Sequence, residues 1–368
     1  VFGAWQMKPE VSDAIEEDAL AFGQAYGADP FSSYWWLKEW ERFNDLLTEI
    51  IADKSVGSYV VSTDVANFYD SIEVPRLLAR IRMIAHADVN TVEALNAFLS
   101  SWNRRHIGYM ASTKGIPQEI ISDASRVLSH FYLQDFDGEF GEYCNQNELQ
   151  YVRWADDIMV FGSSYKKIQS AVHHVSRLMR DLGLNLNASK TKYMSKSALA
   201  DYRCLDFVNA ISQEDHSGVE MALKKIKRRM GKGEEFRLDT VFRAMIGSLN
   251  RHPVAQTTVN KAFLVDVGES NRDLLHSLNH TQMLRYIQLM DRPIVAFDKL
   301  RAQICAADFG APKASYLHMM RKYRNQLATI GVSQKKALAA INQIEAASSD
   351  SEVLGRFCVP VVRDQYTK

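Results

Sequence analysis

The chain is short of cysteine, of long apolar runs and of net charge. Its four cysteines, Cys144, Cys204, Cys305 and Cys358, stand far apart with no C-x-x-C pair among them. That spacing argues against structural zinc and against a disulfide framework, and it fits a reducing cytoplasm. No run of ~18 apolar residues and no signal-peptide pattern occurs, so neither membrane insertion nor secretion is indicated. Lys+Arg and Asp+Glu both number 44, which leaves a formal net charge of +0. Grip on a nucleic-acid duplex comes mostly from neutralising phosphates. Any such grip here has to come from a local basic channel rather than an all-over basic surface.

What is present is ordinary in bulk and unusual in detail. The 368 residues, 46% hydrophobic and 24% charged, suit a soluble protein of two or three structural units. The chain begins with Val1, and the expectation is that a native N-terminus precedes it. The most informative stretch is Trp154-Ala155-Asp156-Asp157, with Tyr151-Val152-Arg153 before it and Ile158-Met159-Val160-Phe161-Gly162 after it. Apolar residues on both sides of a tight acidic pair read as two short strands joined by a turn. Adjacent carboxylates at a hairpin tip repel each other and make a poor core. They do suit a hard divalent cation, which wants several oxygen ligands. Alone, an Asp-Asp dipeptide is more often a solvated turn.

A second acidic position changes the balance. Tyr59 to Thr63 begins as a buried-type strand and runs into Asp64, followed by Val65-Ala66-Asn67-Phe68-Tyr69-Asp70 and a helical segment, Val74 to Met83. An Asp at the end of an apolar strand is placed to aim its carboxylate at a neighbouring hairpin tip. By itself Asp64 reads equally as a turn or helix-cap residue. Together with the hairpin, Asp64 and Asp156 could bridge two Mg²⁺ ions for phosphoryl transfer, with the Val65 carbonyl as an extra ligand.

Here the chain resembles a known family. Asp64-Val-Ala-Asn-Phe-Tyr-Asp-Ser-Ile is similar to motif A of reverse transcriptases, and Trp154-Ala-Asp-Asp to their Tyr-Ala-Asp-Asp motif C, with Trp for Tyr. Between them, Gly115-Ile116-Pro117-Gln118, Ser125-Arg126-Val127-Leu128 and Phe131 to Asp137 resemble motif B. Leu182 to Thr191 is similar to motif D, and Cys204-Leu205-Asp206-Phe207 sits where motif E is expected. The stretch Asp123 to Leu128 looks more like bacterial abortive-infection and defence-associated enzymes than retroviral ones. Those relatives include members that polymerise DNA without a conventional template.

The resemblance implies an α/β fold: a right-hand palm of antiparallel sheet plus helices, short helical fingers, and an all-helical thumb and C-terminal region. The expected divisions are 1–55 for the fingers, 56–210 for the palm, 211–240 for a basic thumb-like region and 241–368 for the helical C-terminal domain. Asp64, Asp156 and Asp157 are the expected catalytic residues. With the Val65 carbonyl they would hold two Mg²⁺ ions, for which Mn²⁺ substitutes. Tyr69 takes the place of the steric gate that selects dNTPs, beside Phe68. Gln118 and Lys190 complete the nucleotide site, Lys190 as a charge stabiliser or proton donor. Against these stand plainer readings: Tyr69 as a core aromatic, Lys190 as a surface lysine.

Two departures from the family pattern matter. Glu119 follows Gln118 where relatives carry Gly, and a carboxylate there would repel template phosphates. It is read as solvated, or, with Arg126, as a template- or base-selecting residue. Synthesis is accordingly expected not to follow an ordinary long RNA template. Trp154 keeps an aromatic platform for the primer end but removes a hydroxyl.

Outside the motifs the pattern is helical: Val11 to Tyr26, Tyr34 to Ala52 with an aromatic stripe read as core, and residues 86 to 110 as a helix ending in a basic turn, Trp102 to His106. Met221 to Lys232 carries Lys224, Lys227 and Arg228, which could track a primer or product backbone or simply face solvent. Amphipathic helices follow to Tyr366, clearest over Met319 to Thr329 and Ser333 to Ala347, with turns at His252-Pro253, Asn271-Arg272, Arg292-Pro293 and Ala311-Pro312. They suit an oligomer interface. His276 and His280 stand at i, i+4, but Ser277 holds the place of a zinc-protease Glu, so the pair and the isolated His318 read as structural. Expected partners are dNTPs, the DNA product, and a non-coding RNA or a partner reverse transcriptase. Two rival functions are an RNA-binding scaffold that has lost catalysis and a cyclase or phosphatase on a related palm. The first would have lost an acidic ligand, and the second would not need motifs B, D and E in this order.

Overall fold

The computed structural model describes residues 35–84, 89–102, 113–117, 123–248, 258–348 and 354–367. The expected helix Val11 to Tyr26, the basic turn after Trp102, the His252-Pro253 turn, and both Gln118 and Glu119 lie outside the described residues. The chain divides into two compact units, residues 1–200 and 201–368.

The first unit is built on a five-stranded antiparallel sheet: β1 (Tyr59–Ala66), β2 (Gln150–Trp154), β3 (Asp157–Gly162), β4 (Asn185–Leu186) and β5 (Lys192–Ser195). The order is β2-β3-β1-β4, and β5 also pairs with β1. β1 is central because almost all of its residues are apolar or small and both of its edges are paired, so Val60, Val61, Thr63, Asp64 and Val65 are all buried. Just before it, a Cβ on Gly57 would fall 1.9 Å from the Gly162 carbonyl carbon, so only glycine lets the chain enter beside β3 there.

Helices cover this sheet: α1 (Trp35–Ala52), α2 (Phe68–Ser71), α3 (Val74–Ile84), α4 (Val89–Trp102), α5 (Asp123–Gln146) and α6 (Tyr165–Asp181). In α6 the buried set Ile168, Ala171, Val175, Leu178 and Met179 recurs at helical spacing. Ser164 caps its start by accepting from the Lys167 amide, and Gly183, at φ +73°, turns the chain out at its end. In α1 Phe43, Leu47 and Ile50 are buried. The ammonium of Lys196 closes the C-terminus of α1, donating to the carbonyls of Ile50 at 2.9 Å and Asp53 at 2.7 Å. Those carbonyls have no acceptor role within the helix, so a cation there satisfies them and the helix dipole together.

Helix α7 (Lys196–Arg203) follows β5. The second unit is all-helical among its described residues: α8 (Leu205–Ser212), α9 (His216–Gly231), α10 (Leu238–Ser248), α11 (Thr258–Ser270), α12 (Arg272–His276), α13 (His280–Leu289), α14 (Pro293–Cys305), α15 (Gly310–Lys322), α16 (Arg324–Thr329), α17 (Gln334–Ala346) and α18 (Val359–Thr367). Phe207, Phe242, Phe297 and Tyr316 are fully buried in one continuous core. Cys204 to Phe207, where motif E is expected, begins α8.

Four local expectations are corrected. The helix expected over Met319 to Thr329 is two helices, α15 and α16, broken at Tyr323, whose backbone leaves helical geometry. Pro312 lies in the first turn of α15 rather than in a preceding turn; that turn has unbonded amides anyway, so a proline is tolerated. His276 and His280 do not share a helix face, because α12 ends at His276 and a capping box of Asn279 and Gln282 starts α13. His318 is not isolated: its ring stacks on His280 at 4.0 Å.

Candidate active site

The sheet register creates the site. β2 and β3 form a hairpin in which Trp154 pairs with Asp157, so its loop is only Ala155-Asp156. Ala155 adopts φ +52°, the left-handed backbone that a two-residue hairpin turn demands. On the other side of β3, Asp157 pairs with Asp64 of β1. One rung therefore carries Trp154, Asp157 and Asp64, with Asp156 at the tip beside it.

The electrostatics are those of crowded anions. Asp64 is 5% exposed. The Asp156 carboxyl is pushed up to about 7, first by burial, then by its hydrogen bond to Asp64 and by the charges of Asp64 and Asp157. The Lys190 ammonium lies 2.5 Å from Asp64 Oδ2, and this hydrogen bond raises the lysine pKa more than any other influence. A short turn over Ala188–Lys190 delivers that lysine. It is tied down by the Asn187 amide donating to the Asp64 carbonyl at 2.7 Å and by the Thr63–Thr191 hydroxyl contact at 2.7 Å.

The atoms that Asp64, Asp156 and Asp157 offer a ligand are all oxygens, and three carboxylates face one lysine, so the set suits a hard divalent cation. Among the described residues no three metal-type side chains already converge on one point. The carboxylates would turn toward an incoming ion, and relief of the repulsion at Asp156 would favour that.

Tyr69 belongs to the same neighbourhood. It follows Asn67, itself at φ +47°, in the short helix α2. Its hydroxyl is raised in pKa, first by burial, and lies within reach of Ser129, Asp156 and Arg126. Phe68 is buried beside it, with ring centroids 5.4 Å apart. Trp154 packs on α1, 5.2 Å from Trp40 and 5.1 Å from Phe43. The aromatic stripe of α1 is thus joined to the hairpin that carries the acidic pair.

The cations expected to follow a product strand, Lys224, Lys227 and Arg228, lie on α9 in the second unit. Lys224 and Arg228 are exposed, and Lys227 stands over the Phe263 ring. Lys225 and Arg229 on the same helix are neutralised: Lys225 by Asp201 at 2.6 Å and Asp206 at 3.0 Å, Arg229 by Glu234 at 2.9 Å.

Sequence reasoning passed over a buried polar cluster directly behind the hairpin. Arg153, 1% exposed, donates from Nε to Asp137 Oδ1 at 2.7 Å, from Nη2 to Asp137 Oδ2, and from Nη1 to the Ala155 carbonyl at 2.7 Å. The Tyr151 hydroxyl donates to Asp137 Oδ1 at 2.5 Å. The signal was available: an arginine between Val152 and Trp154 in a buried strand needs a partner.

His130, half-buried, completes the cluster, with Nδ1 3.4 Å from Arg153 Nη2. Burial first, and then the Arg153 charge, push its pKa down to about 2. An unfolded histidine takes up a proton below about 6.5 while this one does not, so its contribution to stability is lost as pH falls from there toward 2. Urea titrations at pH 7 and pH 5 should therefore show His130→Gln losing less stability than the wild type, by up to about 2 kcal/mol. Equal losses would mean that His130 charges in place.

The model of the family described as reverse transcriptase (RNA-dependent DNA polymerase) matches residues 11–227. The chain belongs to this family. The Retron Ec83 reverse transcriptase of Escherichia coli is 25% identical over 177 residues, covering 44% of this chain and 54% of that protein; the chain thus matches about half the length of this relative. Among solved structures, telomerase of Candida tropicalis with a fragment of telomeric RNA is 10% identical at a TM-score of 0.34, covering 99% of this chain and 57% of that one. Telomerase of Candida albicans with the corresponding fragment is 10% identical at 0.35, covering 82% and 53%. No described helix is long and apolar enough to cross a membrane.

Proposed function

We propose that the protein is a DNA polymerase of the reverse-transcriptase type that adds dNTPs by phosphoryl transfer, acts in antiphage defence, and does not depend on an ordinary long RNA template. The observation that carries the polymerase reading is the rung that sets Asp64 and Asp157 side by side, with Asp156 hydrogen-bonded to Asp64. Asp64, Asp156, Asp157 and the Val65 carbonyl would hold two Mg²⁺ ions, or Mn²⁺ in their place. When bound, such ions neutralise the triphosphate and favour the attacking 3′-oxygen.

The remaining roles belong to the chain itself. Tyr69 excludes a 2′-hydroxyl by shape, on the floor formed with Phe68. Lys190 balances charge at the departing phosphates and can give them a proton from Nζ. Trp154 offers an aromatic edge to the primer end. Gln118, Glu119 and Arg126 meet the template or the incoming base, and Lys224, Lys227 and Arg228 follow the product backbone. The defence role and unconventional templating rest on the likeness of Asp123 to Leu128 to defence-associated enzymes, on Glu119, and on the absence of net charge. Similarity to a retron reverse transcriptase favours a second reading, in which a non-coding RNA serves as an ordinary template. A partner reverse transcriptase and oligomerisation through the helical second unit remain part of the proposal.

Purified protein incubated with each labelled dNTP or NTP, with and without co-purified nucleic acid, followed by product sequencing, separates these readings. DNA made without nucleic acid, or of biased sequence, is the expected product. Faithful copying of an arbitrary primer-template would overturn the templating proposal, and no incorporation under any condition would overturn the polymerase reading. In the same assay Tyr69→Val should raise NTP use relative to dNTP by about tenfold or more, the scale on which opening a small part of a pocket changes selection. An unchanged ratio would make Tyr69 a core aromatic only.

A further inference from the structure

The cluster behind the hairpin does more than fill the core. A fully buried ion pair alone can usually be exchanged for apolar side chains without loss of stability. This one has an extra bond that an apolar exchange cannot supply. Asp137 on α5 fixes two nitrogens of the Arg153 fork, and the third nitrogen reaches past the end of β2 to the carbonyl of Ala155. Ala155 is the residue that must hold a left-handed backbone, at φ +52°, for Asp156 to stand at the tip and Asp157 to face Asp64. A residue with a Cβ disfavours that conformation. A charged hydrogen bond to its carbonyl, from a donor that is itself anchored, favours it.

We propose that Arg153, held by Asp137, is a positioning residue for catalysis: it locks the left-handed turn at Ala155 and so fixes the direction of the Asp156 and Asp157 carboxylates. The inference rests on the reading of those carboxylates as the metal-binding polymerase site. Lysine could not replace it, because a single ammonium on a flexible stem cannot grip a carboxylate as a fork and hold a second acceptor at a set angle. The Tyr151 hydroxyl, on the same face of β2 two residues earlier, keeps the Asp137 carboxylate turned toward the fork. The motif B helix and the motif C turn are thereby joined through a single guanidinium.

The test removes the buried ion pair without leaving either charge unpaired. The full chain carrying Asp137→Leu, Tyr151→Phe and Arg153→Met together is compared with wild type for melting temperature, for Mn²⁺ binding by calorimetry, and for kcat and KM in dNTP incorporation. The expected result is a folded protein whose kcat falls on the order of 10²-fold, the penalty for misplacing reacting groups by about 1 Å, with KM for dNTP little changed and weaker Mn²⁺ binding. Adding Ala155→Gly, which makes the left-handed backbone easy without Arg153, should recover a large part of both losses and leave the melting temperature where it was.

A folded triple variant with wild-type kcat and Mn²⁺ binding would overturn the proposal, and so would a loss that Ala155→Gly does not reverse. If the triple variant does not fold, Arg153→Lys decides: retained fold with reduced kcat is expected, and a wild-type kcat overturns the proposal. Should wild type bind Mn²⁺ yet incorporate no dNTP, the polymerase reading fails, while the Mn²⁺ titrations still decide whether Arg153 positions the turn.

Discussion

Asp64→Ala and Asp156→Ala should each abolish nucleotide incorporation, by on the order of 10³-fold or more, without unfolding the protein. The loss follows from the charge balance of the site. A divalent ion bound by these carboxylates has to offset the negative charge of a triphosphate and of an ionising hydroxyl, and each missing carboxylate removes several kcal/mol of that stabilisation. Retention of the fold follows from the same crowding. Asp156 is raised to about 7 by burial and by its acidic neighbours, so its folded form clings to a proton that the unfolded chain gives up above about pH 4. The metal-free protein therefore loses stability as pH rises from about 4 to 7, and Asp156→Ala should melt at a higher temperature than wild type at pH 8. Single-turnover incorporation and thermal melting of the same preparations test both halves. Wild-type-like polymerisation by either variant would refute the assignment.

Asp137→Ala alone should be the most destabilising of the substitutions considered, costing about 3–5 kcal/mol, against about 1 kcal/mol for an average point mutation. Arg153 has 1% of its surface exposed and Asp137 likewise, so removing the carboxylate leaves a guanidinium that can neither reach water nor lose its proton. Urea denaturation measures the cost. The apolar triple exchange, which removes the charge along with its partner, should return most of it. A cost of under about 1 kcal/mol for Asp137→Ala would mean that water or another acceptor reaches Arg153, since only a desolvated charge carries the larger penalty.

How much of this was legible in the sequence depends on the distance over which each feature is set. The hairpin and β1 were legible because short apolar runs and the acidic pair between them are local facts, and the opposition of Asp64 to Asp157 follows once β1 pairs with β3. The helices expected over Tyr34 to Ala52 and Ser333 to Ala347 were legible for the same reason, and stand at Trp35–Ala52 and Gln334–Ala346. The partner of Arg153 was not, because Asp137 lies on a helix whose rotation against the sheet is fixed by packing. The charge of α9 could be read, but not which of its cations are spent: Asp201 and Asp206 take Lys225, while Lys224 is left exposed. Apolar spacing runs unbroken through Tyr323, so the division between α15 and α16 left no local mark. The i, i+4 spacing of His276 and His280 means a shared face only within one helix, whereas Asn279 starts a new one.

The contact between Trp40 and Trp154 has an optical consequence. Their indoles meet edge-on, with centroids 5.2 Å apart and planes at 68°, close enough for the two excited states to mix. Such a pair produces a two-signed band in far-ultraviolet circular dichroism that neither indole produces alone. Trp154 is two residues from Asp156, so this band reports on the hairpin that carries the acidic pair. It gives the intact protein a label-free signal of hairpin geometry, readable during an ion titration before any nucleotide is added.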